Sequence, residues 1–228
     1  MKKSLLKMIL AMTVLIIGFP ANAQSSREYI RNAIKKWGQC RNVAITRTNG
    51  DVALYGQNGC AEANTPQGLS RAIKQLNNEG EFIDDIQLTE RGRWLILYGN
   101  NGILWNDIPY SLEQKLREFN NNGEVITSVT FNDSGDWIVI STDYICASDY
   151  RIQNWLAEGF DIYGSLWAAC ITDDGIVAVF EGGYKFLGNI PNDLQTALKK
   201  TNLNVYRLKI AGSAWFFADV YGNFRYNM

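Results

Sequence analysis

The fold is decided by a repeated stretch whose clearest copy, residues 111–147, reads SLEQKLREFNNNGEVITSVTFNDSGDWIVISTDYICA. Its first nine residues carry apolar side chains at helical spacing, which predicts an amphipathic helix with one buried side. Three β-rich runs follow, Ile126–Phe131, Trp137–Ile140 and Tyr144–Ala147, and a turn of Asp133-Ser134-Gly135 joins the first two. Alternating or β-branched runs joined by such turns predict antiparallel hairpins.

The same pattern occurs five times. The five helical segments are predicted at residues 29–37, 69–76, 111–119, 151–160 and 193–200. Aligned on Ile30, Leu69, Leu112, Ile152 and Leu194, they are spaced by 39, 43, 40 and 42 residues. The predicted starts of the second strands, Val52, Trp94, Trp137, Val177 and Trp215, are spaced by 42, 43, 40 and 38 residues. Two independent markers therefore give one period, and the units are 26–65, 66–108, 109–149, 150–190 and 191–228.

Local signals mark the ends of the elements. Pro66, Pro109 and Pro191 stand just ahead of three helices, and capping boxes are predicted at Ser25 with Glu28 and at Ser111 with Gln114. In the second unit the strands are predicted at Ile83–Leu88, Trp94–Tyr98 and Gly102–Trp105.

The units must pack on each other, because a helix with a three-stranded sheet cannot bury both of its faces alone. An open array would end in a unit with a polar outer face. The last unit instead keeps Trp215, Phe216, Phe217 and Val220 near the C-terminus. We therefore predict an α+β fold in which five αβββ repeats close into a pseudo-five-fold, propeller-like ring.

The repeat resembles two propeller families in its organisation. Three strands followed by a helix, with I-P-x-x-L at 108–112 and 190–194, resemble the blades of hemopexin-type β-propellers, whose rings have four blades. The turn at 133–137 is similar to a shortened Asp-box, a structural hairpin of sialidase-type propellers. Five αβ units of this length also resemble the pentein α/β-propeller. Pentein hydrolases depend on a Cys-His pair, and this chain has no histidine, so the resemblance implies a ring without that chemistry.

The N-terminus predicts export. Residues 1–23 read MKKSLLKMILAMTVLIIGFPANA, with lysines in front, an apolar stretch and a small-x-small cleavage pattern. The alternative is an uncleaved anchor, but the apolar run is short for a membrane span. Cleavage after Ala23 leaves a single five-repeat domain, residues 24–228, in the periplasm or outside the cell, with no membrane span.

All four cysteines, Cys40, Cys60, Cys146 and Cys170, lie in this mature part. An even count in an exported protein predicts two disulfides. Short loops favour Cys40–Cys60 and Cys146–Cys170, the second of which would join the third strand of one unit to the first strand of the next. The alternative is four buried free thiols.

Composition excludes several kinds of chemistry. The chain is 46% hydrophobic and 20% charged, which predicts a packed core. The absence of histidine rules out Ser-His-Asp and Cys-His nucleophiles and histidine-ligated zinc. A net charge of −1 gives no basic footprint for nucleic acid. No calcium loop, phosphate loop or nucleophile elbow is present, so we predict neither a metal nor a cofactor.

Carboxylates are the remaining acid–base candidates. A glycosidase needs two of them about 5 to 10 Å apart across a cleft. The candidates are Asp84, Asp85, Asp133, Asp136, Asp143, Asp149, Asp173, Asp174 and Glu181. Most stand in turn sequences, where aspartate bonds its own backbone. A carboxylate glycosidase is therefore the alternative function.

The favoured function is non-enzymatic binding or scaffolding, with a glycan or a protein as partner. The second hairpins and third strands vary between units and carry amphipathic side chains that suit such partners. The predicted binding residues are Asn100, Asn101, Trp105, Asp143, Tyr144, Tyr184 and Tyr221. Ordinary turn composition explains the same residues equally well. Trp94, Trp137 and Trp215 share one repeat position and are predicted to be core residues between units.

Overall fold

The computed structural model describes residues 25–48 and 50–228, and this part of the chain is an α+β protein with five helices and five three-stranded sheets. One helix precedes each sheet, as the repeat predicts. The helices are α1 (Ser26–Trp37), α2 (Gln67–Glu79), α3 (Tyr110–Asn121), α4 (Tyr150–Tyr163) and α5 (Asn192–Lys200). The predicted signal peptide lies outside the described residues. Within those ranges no helix has the length and apolar character needed to cross a membrane.

Each sheet is an antiparallel meander with the second strand between the first and the third. Units one to three contain β1 (Asn42–Ala44), β2 (Asp51–Tyr55), β3 (Gly59–Ala63), β4 (Ile83–Leu88), β5 (Trp94–Tyr98), β6 (Gly102–Asn106), β7 (Ile126–Phe131), β8 (Trp137–Ser141) and β9 (Ile145–Ala147). Units four and five contain β10 (Leu166–Ile171), β11 (Gly175–Phe180), β12 (Gly183–Gly188), β13 (Arg207–Ala211), β14 (Ala214–Ala218) and β15 (Phe224–Tyr226). The predicted bounds of β4, β5 and β7 are those observed.

The helix ends follow from local chemistry. Ser25 caps α1, and its hydroxyl accepts a hydrogen bond from the Glu28 N–H at 3.2 Å, as predicted. Gly38 ends α1 with a φ of 72°, a left-handed conformation that glycine adopts without strain. The capping box predicted at Ser111 is wrong. Helix α3 begins one residue earlier, after Pro109, so Ser111 is inside the first turn. Its hydroxyl accepts a hydrogen bond from the Trp137 indole instead of capping the helix.

The buried faces meet in five hydrophobic clusters, each of which joins a helix to its own sheet and to the sheet of another unit. Around α3, Leu112 and Leu116 pack with Val139 of the same unit and Leu95 of unit two. Helices α2, α4 and α5 are placed in the same way against the unit before them. Helix α1 packs against Phe216 of unit five. Burial of each such side chain stabilises the fold by roughly 1.5–3 kcal/mol.

The most extensive strand contacts between units are made by the first strands. Strand β1 contacts β4, β4 contacts β7, β7 contacts β10, and β10 contacts β13, while β13 also contacts β1. The sequence-based expectation that a third strand meets the next first strand is therefore wrong.

This arrangement corrects the disulfide prediction. Cys40, Cys60, Cys146 and Cys170 are free thiols, and neither predicted bridge is formed. Cys146 lies on β9, whereas the strands of unit three that contact β10 are β7 and β8. Cys40 and Cys60 pack into different hydrophobic clusters. A disulfide needs Cα atoms within about 7 Å, whereas β2 lies between β3, which carries Cys60, and β1, which follows Cys40, and each strand spacing is about 4.8 Å.

In units one, three and five a residue at or next to the start of the second strand is bonded to the first turn of the helix in its own unit. The indole Nε1 of Trp137 donates to the Ser111 hydroxyl at 2.9 Å, and that of Trp215 donates to Asp193 at 2.9 Å. In unit one this place belongs to Asp51, which is fully buried and accepts from Arg27 of α1 at 2.6 Å. The predicted equivalent, Val52, is thus shifted by one residue.

The shift has a counterpart in unit four. There Ile176 pairs with Ile171 as Trp137 pairs with Phe131, so Ile176 and not Val177 is the equivalent residue. The prediction that the three tryptophans are core residues is confirmed, since Trp94, Trp137 and Trp215 are all buried.

We expect Trp137→Phe to lower the free energy of unfolding by about 1 kcal/mol more than Trp94→Phe does. Both substitutions remove the same indole atoms, but only Trp137 donates a hydrogen bond to a helix start, whereas Trp94 lies against Gly68. Urea denaturation followed by circular dichroism measures both values. If Ser111→Ala costs as much in the Trp137→Phe background as in the parent protein, the hydrogen bond carries no stability.

Candidate functional site

The residues predicted to bind a ligand lie mostly on the hairpins between second and third strands. Asn100 and Asn101 are in the turn of unit two, Asp143 and Tyr144 in that of unit three, and Tyr221 in that of unit five. All but Asn101 are exposed, Tyr221 by 79%. Each turn stands at the end of its sheet where the first strand begins.

Asn101 has a structural role in this turn. Its side-chain N–H donates to the Glu124 carbonyl at 2.7 Å, and its Oδ1 accepts from the Ile126 N–H at 3.0 Å. These bonds tie the hairpin of unit two to the first strand of unit three. Tyr144 rests against Phe119, with ring centroids 6.1 Å apart.

Trp105 and Tyr184 are not brought together with the others. Trp105 pairs with Leu95 near the opposite end of the sheet, and the Arg117 guanidinium lies 5.2 Å from its ring centroid. Tyr184 is half-buried and stacks on Phe186, and burial raises the pKa of its hydroxyl. Trp105 lines one shallow depression, while Tyr184 and Tyr221 line two others that share residues 202–204. The seven residues do not form one site, and their binding role stays a prediction.

A pocket that sequence reasoning missed lies at the other end of the sheets, where first strands turn into second strands. This mouth pocket has a volume of about 90 Å³ and is lined by residues from all five first strands and their turns. Its apolar wall repeats one position of the unit, which lies within one residue of the end of the first strand. The wall residues are Ile45, Leu88, Phe131, Ile171 and Ile210.

A buried polar network closes the inner end of the mouth pocket. The Lys209 ammonium donates to Asp85 at 2.7 Å and to the Gln87 side-chain oxygen at 2.6 Å. Asn42 also donates to Asp85, at 2.7 Å, and Gln87 donates to the Thr130 hydroxyl at 3.0 Å. That hydroxyl in turn accepts from a backbone N–H of β10. All five units therefore contribute to the network.

The charges of this network neutralise each other. Lys209 is 6% exposed and Asp85 is 2% exposed, so neither is solvated by bulk water. Burial opposes ionisation of Asp85, but the charges of Lys209 and Arg207, with hydrogen bonds from Lys209 and Asn42, outweigh it. The pKa of Asp85 consequently lies below its usual value, and the pair is an ion pair at neutral pH.

Carboxylates surround the outer opening of the pocket. Glu90, Asp133 and Asp173 stand at matching places in the turns of units two, three and four. Each accepts a hydrogen bond from the turn of the preceding unit. The pairs are Glu90 with the Arg47 N–H (2.6 Å), Asp133 with the Thr89 hydroxyl (2.6 Å) and Asp173 with the Ser134 hydroxyl (2.8 Å).

Unit five breaks this pattern because its turn has only two residues, Gly212 and Ser213. Gly212 has a φ of 60°, and a Cβ placed there would stand 3.4 Å from the Arg47 side chain. Arg47 lies over the short turn and forms an ion pair with Asp174 of unit four. We call Arg47, Glu90, Asp133, Asp173 and Asp174 the rim.

One sequence signal pointed toward the rim. The sequence makes Asp133, Asp173 and Asp174 candidate acids that ordinary turn chemistry also explains. They are in turns, but they bond across units as well as locally. Their equal place in the repeat, beside Glu90, was the available signal.

The described part of the chain offers little for metal chemistry. In residues 25–48 and 50–228 no group of three or more Cys, Asp or Glu side chains is placed to hold a metal ion. In the same ranges every buried side-chain nitrogen or oxygen has a hydrogen-bond partner. The polar network at the inner end of the mouth pocket is therefore fully hydrogen-bonded within the protein.

Comparisons with protein-family models, curated proteins and solved structures find no match to this chain. The likeness to propeller families thus extends to the repeated helix and three-stranded sheet, which the structure contains five times.

We expect Lys209→Met to lower the free energy of unfolding by about 3–5 kcal/mol at pH 7, because it leaves Asp85 buried without a counter-charge. The double variant Lys209→Met/Asp85→Asn should recover much of this loss, since it leaves no unpaired charge. Urea titrations of the three proteins measure the differences. Equal losses in the single and the double variant would show that packing, not charge, sets the cost.

The same variants have a defined pH dependence. Because the pKa of Asp85 is lowered by folding, its contribution to stability is present above the unfolded value of about 3.9 and is lost as pH falls through the folded value. In Lys209→Met the buried Asp85 is relieved by protonation. The stability gap between the parent and Lys209→Met should therefore shrink on acidification, and a gap that is constant from pH 7 to pH 3 would contradict the ion pair.

Proposed function

We propose that the five units close into a pseudo-five-fold, propeller-like ring around the mouth pocket. Contacts between units five and one support closure, since α1 packs on the sheet of unit five and β1 contacts β13. The Cys40 N–H also donates to the Gly222 carbonyl at 3.0 Å. Arg207 of unit five reaches Asp84 of unit two with two hydrogen bonds of 2.8 Å.

The lengths of the junctions give closure a direct test. Residues 64–66, 107–109 and 189–191 separate a third strand from the next helix in three junctions, and residues 148–149 do so in the fourth. Direct fusion of Met228 to Ser25 would place Asn227, Met228 and Ser25 between β15 and α1, which is the same length.

We expect a circular permutant with this fusion, opened between residues 64 and 66, to fold with a Tm within about 5 °C of the parent residues 25–228. In a ring the new junction replaces an equivalent old one, so no contact between units is lost. Calorimetry measures Tm, and a matched permutant opened at 107–109 is the control. A failure of both permutants to fold cooperatively would refute closure.

We infer that the protein is an exported, non-enzymatic binding protein that takes its ligand at the mouth pocket. The observation that carries this inference is a pocket formed jointly by all five units, with an apolar wall, a hydrogen-bonded polar inner end and a charged rim around its opening. Concave apolar sites with a few placed polar groups are the usual form of ligand sites. Export rests on the pattern of residues 1–23 and places the binding in the periplasm or outside the cell.

The pocket favours a protein or peptide segment over a glycan as the ligand. Its inner wall is aliphatic and aromatic, and its volume of about 90 Å³ is small. An engineered apolar cavity of about 150 Å³ accepts a benzene ring. A chain of a few carbons suits the smaller space better than a sugar ring does.

A carboxylate glycosidase is less well supported. Such an enzyme needs an acid whose pKa is raised, facing a second carboxylate across the substrate. Burial raises the pKa of Asp51, but Asp51 does not line the mouth pocket and is paired with Arg27. The rim carboxylates Glu90, Asp133 and Asp173 are already engaged in bonds between turns.

We expect Leu88→Trp, which fills the mouth pocket, to weaken binding to any ligand found on peptide or glycan arrays by at least about tenfold. Leu203→Trp is the matched control, because Leu203 lines surface depressions away from the pocket. Binding is measured by calorimetry, after circular dichroism has shown that each variant is folded.

Glu90→Trp provides a second way to block the opening, because the exposed Glu90 side chain stands at the rim and its replacement does not disturb the core. Ligands that bind Leu88→Trp and Glu90→Trp as well as the parent would refute the pocket as the site. Release of free sugar from a glycan hit would establish the enzyme instead.

A further inference from the structure

The mouth pocket combines a neutral inner end with an acidic opening. At the inner end the Lys209 charge is cancelled by Asp85, at 2.7 Å. At the opening three carboxylates, Glu90, Asp133 and Asp173, line the pocket, and the cation beside them, Arg47, is already paired with Asp174. The electrostatic potential at the opening is therefore negative, and it acts beside a low-dielectric apolar wall that weakens screening.

The rim carboxylates retain free acceptor capacity. The Oε1 atom of Glu90 accepts from Arg47, and the Oδ1 atom of Asp173 accepts both bonds from Ser134. Within residues 25–48 and 50–228, no hydrogen bond reaches Oε2 of Glu90 or Oδ2 of Asp173. A carboxylate oxygen has two acceptor positions, so an ammonium group can bind there without breaking the bonds between turns.

We propose that the mouth pocket binds an alkylammonium group, with a short aliphatic chain against the wall of Leu88, Phe131 and Ile171 and the ammonium at the rim. The proposal rests on the proposed function, because it names the ligand chemistry of that same pocket. A pocket of about 90 Å³ accommodates a chain of four or five carbons by the comparison with benzene above.

The orientation follows from the charges. A lysine side chain would enter with its ammonium first and carry that charge past the rim carboxylates to an inner end where Asp85 already neutralises Lys209. The entering charge would then be removed from water without a carboxylate of its own. An amine with its apolar tail inward avoids this cost and keeps its charge at the rim. Two sources supply this chemistry: a free aliphatic amine, and the amino terminus of a peptide that begins with an aliphatic residue.

The test compares three probes of equal length, n-pentylamine, 1-pentanol and pentanoate, with residues 25–228 of the protein at pH 7. We expect pentylamine to bind about tenfold more tightly than pentanol and pentanoate to bind most weakly, as measured by amide chemical-shift titration. The preference for the amine should fall as salt is raised, because the rim is exposed to solvent. Equal affinity for the amine and the alcohol would overturn the proposal while leaving the pocket as a binding site.

Two variants locate the charge. Glu90→Gln/Asp173→Asn keeps the acceptor oxygens that bond Arg47 and Ser134 but removes both charges, so it should lose most of the tenfold preference for pentylamine and leave pentanol affinity unchanged. Glu79→Gln/Asp161→Asn is the matched control, since it also removes two charges and both residues are exposed acids on α2 and α4, outside the lining of the pocket. An equal loss in this control would show that net charge alone attracts the amine and would overturn the rim as its site.

A further pair of probes separates the two sources. A leucyl-glycyl-glycine amide with a free amino terminus should bind more tightly than pentylamine if a peptide is the ligand, and acetylation of that terminus should abolish the gain. Binding of the amine but not the peptide assigns the site to free amines. If no probe binds, this proposal fails, whereas the proposed function fails only when array ligands are insensitive to Leu88→Trp and Glu90→Trp.

Discussion

The buried ion pair between Lys209 and Asp85 is the constraint on which the arrangement of the units depends. Both groups are removed from water, and burial of either charge alone would cost several kcal/mol. The pair joins the first strand of unit five to the first strand of unit two, across units that are not neighbours in the chain. Packing of apolar faces holds adjacent units together, but it does not specify which units meet across the centre. The charges of Lys209 and Asp85 do.

The repeat keeps its geometry while its chemistry changes from unit to unit. Near the start of the second strand, Trp137 uses an indole and a serine, Trp215 an indole and an aspartate, and Asp51 a carboxylate and an arginine. In these three units the hydrogen bond ties the first turn of the helix to its own sheet. In unit two Trp94 instead packs against Gly68, and in unit four the place is held by the apolar Ile176.

Local sequence patterns predict most of the helices and strands. The candidate site depends on contacts between units, which local patterns do not show. The strands at Ile83–Leu88 and Ile126–Phe131 were predictable because alternation and turn residues act within ten residues. The sequence predicts Val52, not Asp51, at the repeat position, because an isolated carboxylate is rarely buried. In the structure Arg27 pairs with Asp51 and compensates its burial. The cysteine pairing failed because it depended on which strands meet. The mouth pocket could not be predicted either, because its lining comes from five segments about 40 residues apart that only contacts between units bring together.

The two-residue turn at Gly212 and Ser213 makes the fifth unit unlike the others, and Arg47 reaches over it to Asp174. An opening with five identical turns would offer five equivalent binding positions. A ligand without symmetry of its own could then bind in five equivalent orientations. One shortened turn and one bridging arginine remove that degeneracy. The opening is therefore asymmetric, and a ligand of the proposed site would meet one distinct orientation instead of five equivalent ones.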